Sequence, residues 1–333
     1  MEVPPEDIDE SAVRRALRAW GIDAVSAAYA PVGFGDHHWT AAGADGRRWF
    51  VTVADPAGKE WCGRGREAAF RGLRRAMDTA SELRARAGLE FVVAPLRSAG
   101  GETVRGLGER YAVSVFPYAD GRPGRFGRPL APGRRDRVVE TLAALHRAAP
   151  PARAPVHRPE LPGRTRLAEA LDGLGSPWRG GPFSEPARAL VADRSRALRR
   201  RLAEFDRRAG ELLRKAPEPV VTHGEPHPGN LLWRPDGRPL LVDWDTVGLA
   251  VPERDLWLVA DGPDGLERYA EATGRAPDPS ALALYRLRWA LDDLTAFLDC
   301  FRSPHTRTAD TETAWRGLAD TVARLAGDGA AHP

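Results

Sequence analysis

Apolar residues recur along the chain at two spacings, one helical and one strand-like. Between Ser11 and Trp20 the spacing predicts a helix, and it returns over Gly65–Ala87, where Ala68, Leu73, Met77 and Leu83 form a stripe. Ala24–Gly33, Trp39–Ala42 and Arg48–Val53 are apolar-rich runs of strand length, and Ala44-Asp45-Gly46 carries the Asp-Gly dipeptide of a hairpin turn. Phe91–Pro95 and Tyr111–Phe116 read as two further strands. The first third therefore predicts three strands, one long helix and two strands. Tyr118–Gly124, rich in glycine and proline, breaks this pattern and divides the chain into residues 1–117 and 118–333. Beyond it the pattern predicts helices over Arg134–Ala148, Glu185–Lys215, Glu253–Val259, Leu266–Thr273, Ala281–Phe301 and Thr313–Leu325, with a proline-rich loop over Ala149–Pro162. Short strands interrupt the helices over Val220–Trp244, and Gly327–Pro333 is expected to fray.

Composition narrows the class. In 333 residues, 42% are hydrophobic, enough for a sizeable core. Lysine and arginine number 49 against 46 acids, and a net charge of +3 lacks the broad positive field of a nucleic-acid binder. Only Lys59 and Lys215 are lysines. Cys62 and Cys300 cannot form a disulfide framework. The acidic start MEVPPEDIDE is unlike a signal peptide, and no apolar run is long enough to span a membrane. The expectation is a cytoplasmic enzyme with no membrane or nucleic-acid partner; its oligomeric state is left open.

Chemistry concentrates in Val220–Leu258. An apolar strand feeds the turn His223-Gly224-Glu225-Pro226-His227-Pro228-Gly229-Asn230, and a hairpin through Pro235-Asp236-Gly237 delivers Asp243 at the end of a second strand. Two carboxylates and an amide thus come to neighbouring loop tips. Phosphoryl transfer needs such a set: Glu225 to accept the proton of an attacking hydroxyl, and Asn230 and Asp243 as hard oxygen ligands that hold Mg²⁺ on nucleotide phosphates. A zinc site fits poorly, because the nearby histidines lack a third strong ligand at zinc spacing. Asp245 reads as a turn residue, with a second-ion role as the alternative.

This stretch resembles the aminoglycoside phosphotransferase family, and is most similar to its spectinomycin phosphotransferase-like branch. His223-Gly224-Glu225, Asn230 and Asp243-Trp244 fit the family pattern in order and spacing, and Pro252-Glu253-Arg254-Asp255-Leu256 looks like its helix-start motif. The resemblance implies a two-lobed, protein-kinase-like α+β fold, with an N-terminal antiparallel sheet lobe carrying one long helix and a mainly helical C-terminal lobe. It implies ATP as phosphoryl donor, with GTP open, and Mg²⁺ as cofactor. It makes His223 and Asp255 structural supports of the catalytic loop. It places Gly33 and Gly35 of Pro31–His38 over the phosphates, Phe50 and Thr52 on the face lining the nucleotide cleft, and Phe116 and Tyr118 in the hinge that reads adenine. Acids of the helix Ala281–Phe301, namely Asp292, Asp293 and Asp299, with Trp289, would meet a cationic substrate.

Two positions depart from the family pattern. Thr52 stands where the family carries a lysine that pairs with a glutamate of the next helix, here Glu67. Either another cation replaces it, with Lys59, Arg64 and Arg66 near in sequence, or the metal does more. Glu225 stands where the family usually has aspartate, keeping the carboxylate with one more methylene of reach. The expected function is ATP-dependent O-phosphorylation of a small hydroxylated molecule, such as an aminoglycoside or aminocyclitol antibiotic. The alternatives are a metabolic kinase for an amino sugar, amino alcohol or natural-product intermediate, and a weak or inactive nucleotide-binding homologue.

Overall fold

A computed structural model describes residues 3–33, 35–260 and 262–327. In chain order the elements are α1 (Glu10–Leu17), β1 (Ala24–Ala30), β2 (His37–Gly43), β3 (Arg48–Ala54), α2 (Arg66–Ala85), β4 (Arg105–Leu107), β5 (Tyr111–Pro117), β6 (Arg122–Pro123), α3 (Pro132–His146), α4 (Arg164–Asp172), α5 (Ser184–Lys215), β7 (Val220–Thr222), β8 (Leu231–Trp233), β9 (Pro239–Leu241), β10 (Gly248–Ala250), α6 (Glu253–Leu256), α7 (Pro263–Thr273), α8 (Pro279–Arg302) and α9 (Ala309–Ala326). The chain forms two compact units, residues 1–157 with 218–276, and residues 158–217 with 277–333. The break expected at residue 118 falls inside the first unit. The expected frayed tail lies outside the described residues beyond Gly327.

In the first unit an antiparallel sheet runs in the order β1-β2-β3-β5-β4. Strand alternation sets its faces: Val51 and Val53 of β3 are fully buried with Trp39, Ala41, Val113 and Val115, while Phe50 and Thr52 point the other way and are half-buried. β5 lies between β3 and β4, and its mostly apolar run is buried on both faces from Tyr111 to Phe116, Ser114 included. Asp9 caps α1 by accepting from the Ala12 N–H, and Val13 and Leu17 seat that helix in the same core. On α2, Ala69, Leu73, Ala76, Ala80 and Leu83 are buried at helical spacing.

Two strand expectations change. Phe91–Pro95 is extended but adds no strand to the five-stranded sheet; Val93 N donates to Leu241 O and Leu241 N to Phe91 O, tying the segment to β9 instead. The sheet edge is taken by β4, a short strand containing Gly106. The rest of this unit pairs β7 with β10, and β8 with β6 and β9.

In the second unit α5 packs on α8 and α9, and α4 on α8. Asp278 caps α8, and Thr308 with Thr311 forms a capping box on α9. Phe183, Phe301 and Trp315 form an aromatic cluster within it.

One close approach in the first unit bears on the site. A Cβ on Gly72 of α2 would overlap the Cys62 carbonyl, so glycine lets the helix lie against the turn Glu60–Cys62 that follows Lys59. Gly72→Ala is expected to cost about 1–3 kcal/mol, the usual penalty of overpacking. A urea midpoint unchanged from wild type would show that the turn yields freely.

Candidate active site

The candidate catalytic loop is built by short strands that end at polar side chains. β7 leads into His223, a single helical turn at Pro228–Asn230 precedes β8, and β9 leads to Asp243. Val242 N donates to Asn230 O, joining the two loop ends. His223 is fully buried, with its ring edge-on to Trp244. Its Nδ1 accepts from the Glu225 N–H at 3.2 Å, which leaves Nε2 to carry the proton and donate to Val242 O at 2.9 Å. Burial pushes its pKa below 6.5, so the ring is neutral scaffolding.

Asp255 braces the same loop. Its carboxylate accepts from His223 N at 2.8 Å, from Gly224 N at 2.6 Å and from His146 Nε2 at 3.0 Å. Burial alone would raise its pKa, but the bond from His146 and the nearby Arg254 outweigh it and hold the carboxyl below its ordinary value. Arg254, also buried, donates to Thr222 Oγ1 at 2.8 Å and to Thr246 O at 2.9 Å, while Thr246 Oγ1 donates to His223 O. Gly224 has φ +102, and a Cβ there would overlap the Arg254 guanidinium, so this position of the His-Gly-Glu motif requires glycine.

The chemistry-bearing groups lie within this frame. Asn230 Nδ2 donates to Glu225 O at 3.0 Å, which fixes the amide and turns its Oδ1 away from that carbonyl. Asp243 is in the left-handed region at φ 66, uncommon for a residue with a side chain. The residue itself is exposed, but the dense protein around its carboxyl pushes the pKa well above 3.8, joined by Asp245, Asp36 and Glu225 against the pull of Lys59. These four acids and one lysine therefore share one electrostatic neighbourhood.

Lys59 brings a cation into this neighbourhood. Its Nζ lies 2.7 Å from Asp245 Oδ2 and 2.9 Å from Asp36 Oδ2, and the side chains of all three are nearly buried. Burial would lower its pKa, but Asp245, Asp36 and Asp243 raise it, and the ammonium stays charged. Sequence reasoning could not place Lys59 and gave Asp36 no role. Its signals were that Lys59 is one of two lysines in the chain and lies near Thr52 in sequence.

The expected nucleotide residues gather on the sheet. Gly33 and Gly35 have φ values of 71 and 93, and Phe34 between them lies outside the described residues. Phe50 stacks on His38 with ring centroids 5.0 Å apart, and Thr52 Oγ1 lies 3.2 Å from His38 Nδ1. Burial holds the His38 pKa down at about 4, so it is a neutral partner for that hydroxyl. Phe116 pairs with Phe50 across the strands, and the Arg48 guanidinium lies 3.9 Å over the Tyr118 ring. Glu67 does not enter this cluster. Its side chain is 88% exposed and pairs with Arg71 on the same helix, because with no lysine on β3 it has no inward partner.

The candidate substrate residues lie on α8 in the second unit. Asp292 pairs with Arg288 at 3.3 Å, Asp293 with Arg324 at 3.7 Å and Asp299 with Arg166 at 2.9 Å. Each acid thus has an arginine partner within its own unit, and Trp289 shares their helix.

Comparison with known proteins decides the family. The sequence model of the APH phosphotransferase enzyme family matches residues 40–289, three quarters of the chain. The chain belongs to this family. It has the protein-kinase-like α+β fold and the family's activity, phosphoryl transfer to a hydroxyl acceptor. The phosphotransferase is similar over 97% of its length to 98% of a spectinomycin phosphotransferase solved with ADP and spectinomycin, at 15% identity and a TM-score of 0.73. It is similar over 98% of its length to the whole of a macrolide 2′-phosphotransferase from Brachybacterium faecium, at 18% identity and a TM-score of 0.53. An ethanolamine kinase from Plasmodium vivax matches 89% of the chain over 82% of its own, at 8% identity and a TM-score of 0.55. No curated protein sequence matches the phosphotransferase significantly. Among the described residues, no helix is long and apolar enough to cross a membrane.

Proposed function

We propose that this phosphotransferase moves the γ-phosphoryl group of ATP to a hydroxyl of a small cationic molecule of the aminoglycoside or aminocyclitol kind. In this reading residues 1–117 are the nucleotide lid, and residues 118–333 carry catalysis and acceptor binding. The observation that carries it is the gathering of half-buried Glu225, buried Asn230 and solvent-facing Asp243 on one loop frame braced by Asp255.

Phosphoryl transfer asks a protein mainly for positioning and for stabilisation of spread negative charge. Glu225 accepts the proton of the attacking hydroxyl. Asn230 and Asp243 are the residues that would hold Mg²⁺, and their donors fit it: an amide oxygen and a solvent-facing carboxylate crowded by other acids, both hard ligands. Mg²⁺ usually takes one or two protein groups and completes its shell with phosphate oxygens and water. When bound, the ion neutralises charge on the β- and γ-phosphates. Phe50 and Phe116 offer an apolar face to adenine, and Gly33 and Gly35 bring backbone N–H groups toward the phosphates.

The first test is calorimetry with ATP and GTP, each with and without Mg²⁺, followed by a turnover screen of aminocyclitols, amino sugars and amino alcohols. Mg²⁺-dependent ATP binding is expected; none at millimolar nucleotide would sink the proposal. Glu225→Gln removes the base but keeps the shape. It is expected to lower kcat by about 10²–10⁴-fold with little change in ATP affinity. An unchanged kcat would take Glu225 out of the base role.

A further inference from the structure

On the reading above, the phosphate site lacks its usual positive charge, because Thr52 of β3 offers only a hydroxyl, and that hydroxyl faces His38. The structure places another cation within reach. Lys59 stands on the turn after β3, with a buried ammonium between Asp36, which follows Gly35 of the expected phosphate loop, and Asp245, two residues beyond Asp243. We infer that Lys59 is the phosphate-binding cation of this enzyme, supplied from the turn after β3 in place of the lysine absent at Thr52, with Asp36 and Asp245 as its positioning residues.

Three physical points support this. A lone buried ammonium is costly, and a lysine buried only for packing would be better replaced by an apolar residue; pairing with acids from two separate loops at a site compensates the cost. An ammonium has three donors, and two go to Asp36 and Asp245 at 2.9 and 2.7 Å, so a third is available to a phosphate oxygen. The shared lysine also ties the loop of Gly33 and Gly35 to the loop of Asp243, the two segments between which phosphates would lie. The pairing explains why Glu67 faces solvent: the acids that a β3 lysine would find on α2 are here Asp36 and Asp245.

The experiment compares ATP with adenosine, which has no phosphates. ATP binding to wild type comes first, because its absence would overturn both the functional reading and this inference. Given that binding, Lys59→Met is expected to lose about 10- to 100-fold in ATP affinity, the range of a charge-assisted hydrogen bond, while adenosine affinity stays the same. Adding Thr52→Lys to Lys59→Met is expected to recover at least part of the ATP affinity, which a merely structural lysine would not allow. Unchanged ATP affinity in Lys59→Met, or equal losses for ATP and adenosine, would overturn the inference while leaving the functional reading intact. Should Lys59→Met fail to fold, the wild-type protein decides. An ATP acyl-phosphate probe transfers its acyl group to a lysine at the phosphates: the ammonium gives its proton to a neighbouring carboxylate or to water, the amine forms the amide bond, and the acyl–phosphate bond breaks with ATP as the leaving group. Mass spectrometry should find Lys59 acylated and protected by excess ATP, with any labelling of exposed Lys215 unaffected by ATP. An unlabelled Lys59, or one that ATP does not protect, would refute the assignment.

Discussion

Asp243→Asn is expected to lower kcat/KM by about 10³-fold or more while leaving the protein folded. The carboxylate lies among Asp245, Asp36 and Glu225, and its backbone is held in a left-handed conformation at φ 66. Both features cost stability, and both are expected where a site must present charge to a ligand. Asparagine tolerates the left-handed backbone and keeps the shape, but removes the negative charge that would meet Mg²⁺ and phosphate. The variant should therefore unfold at a urea concentration no lower than wild type at neutral pH, and bind ATP with little dependence on Mg²⁺. Steady-state kinetics with an accepted acceptor, a urea titration and calorimetry check the three parts. Retained turnover would remove Asp243 from the metal site, and lost stability with lost turnover would make its role structural. Asp243→Ala separates the backbone contribution, since alanine suits φ 66 less well than asparagine.

The same cluster shows what a sequence can and cannot disclose. The strands β1 to β3 and β5 were legible because alternation and apolar runs report local burial. The frame of the candidate loop was legible because its polar groups are compressed into residues 220–258, with each placed by its distance along the chain from the last. β4, α4 and β10 were missed. β4 and β10 are short and contain glycine, and they exist because long-range partners pair with them. α4, nine residues long, packs on α8, more than a hundred residues later. Phe91–Pro95 has a strand's composition but a different partner, β9. Lys59 was named as a candidate cation, but its placement was out of reach for the same reason: it lies 186 residues before Asp245, and nothing local marks a lysine that will be buried. The family pattern drew attention to the uncharged Thr52, but only the folded chain shows Lys59 seated between Asp36 and Asp245.

Asp255→Ala is expected to have the largest effect on stability, a loss of about 3–5 kcal/mol, as when one partner of a buried ionic cluster is removed. The side chain is fully buried and touches no part of the reaction as proposed, yet three donors converge on it: the His223 and Gly224 N–H groups and His146 Nε2. Alanine would leave all three without an acceptor, and the loop that carries Glu225 and Asn230 would lose its brace. His146 also contacts the Tyr269 hydroxyl at 2.9 Å, so the disturbance should reach α3 and α7. The pH dependence follows from the sign of the shift. Asp255 holds its proton less tightly in the folded protein than at its ordinary value of 3.8, so the unfolded chain binds more protons between the two values. Its contribution is full above pH 3.8 and falls away as pH drops toward the lower, folded value. Wild type should therefore lose stability more steeply than Asp255→Ala as pH falls below about 4. Urea titrations at several pH values test this directly. A difference between wild type and variant that stays constant across that window would assign the loss to packing and to the orphaned N–H groups rather than to the carboxylate's charge.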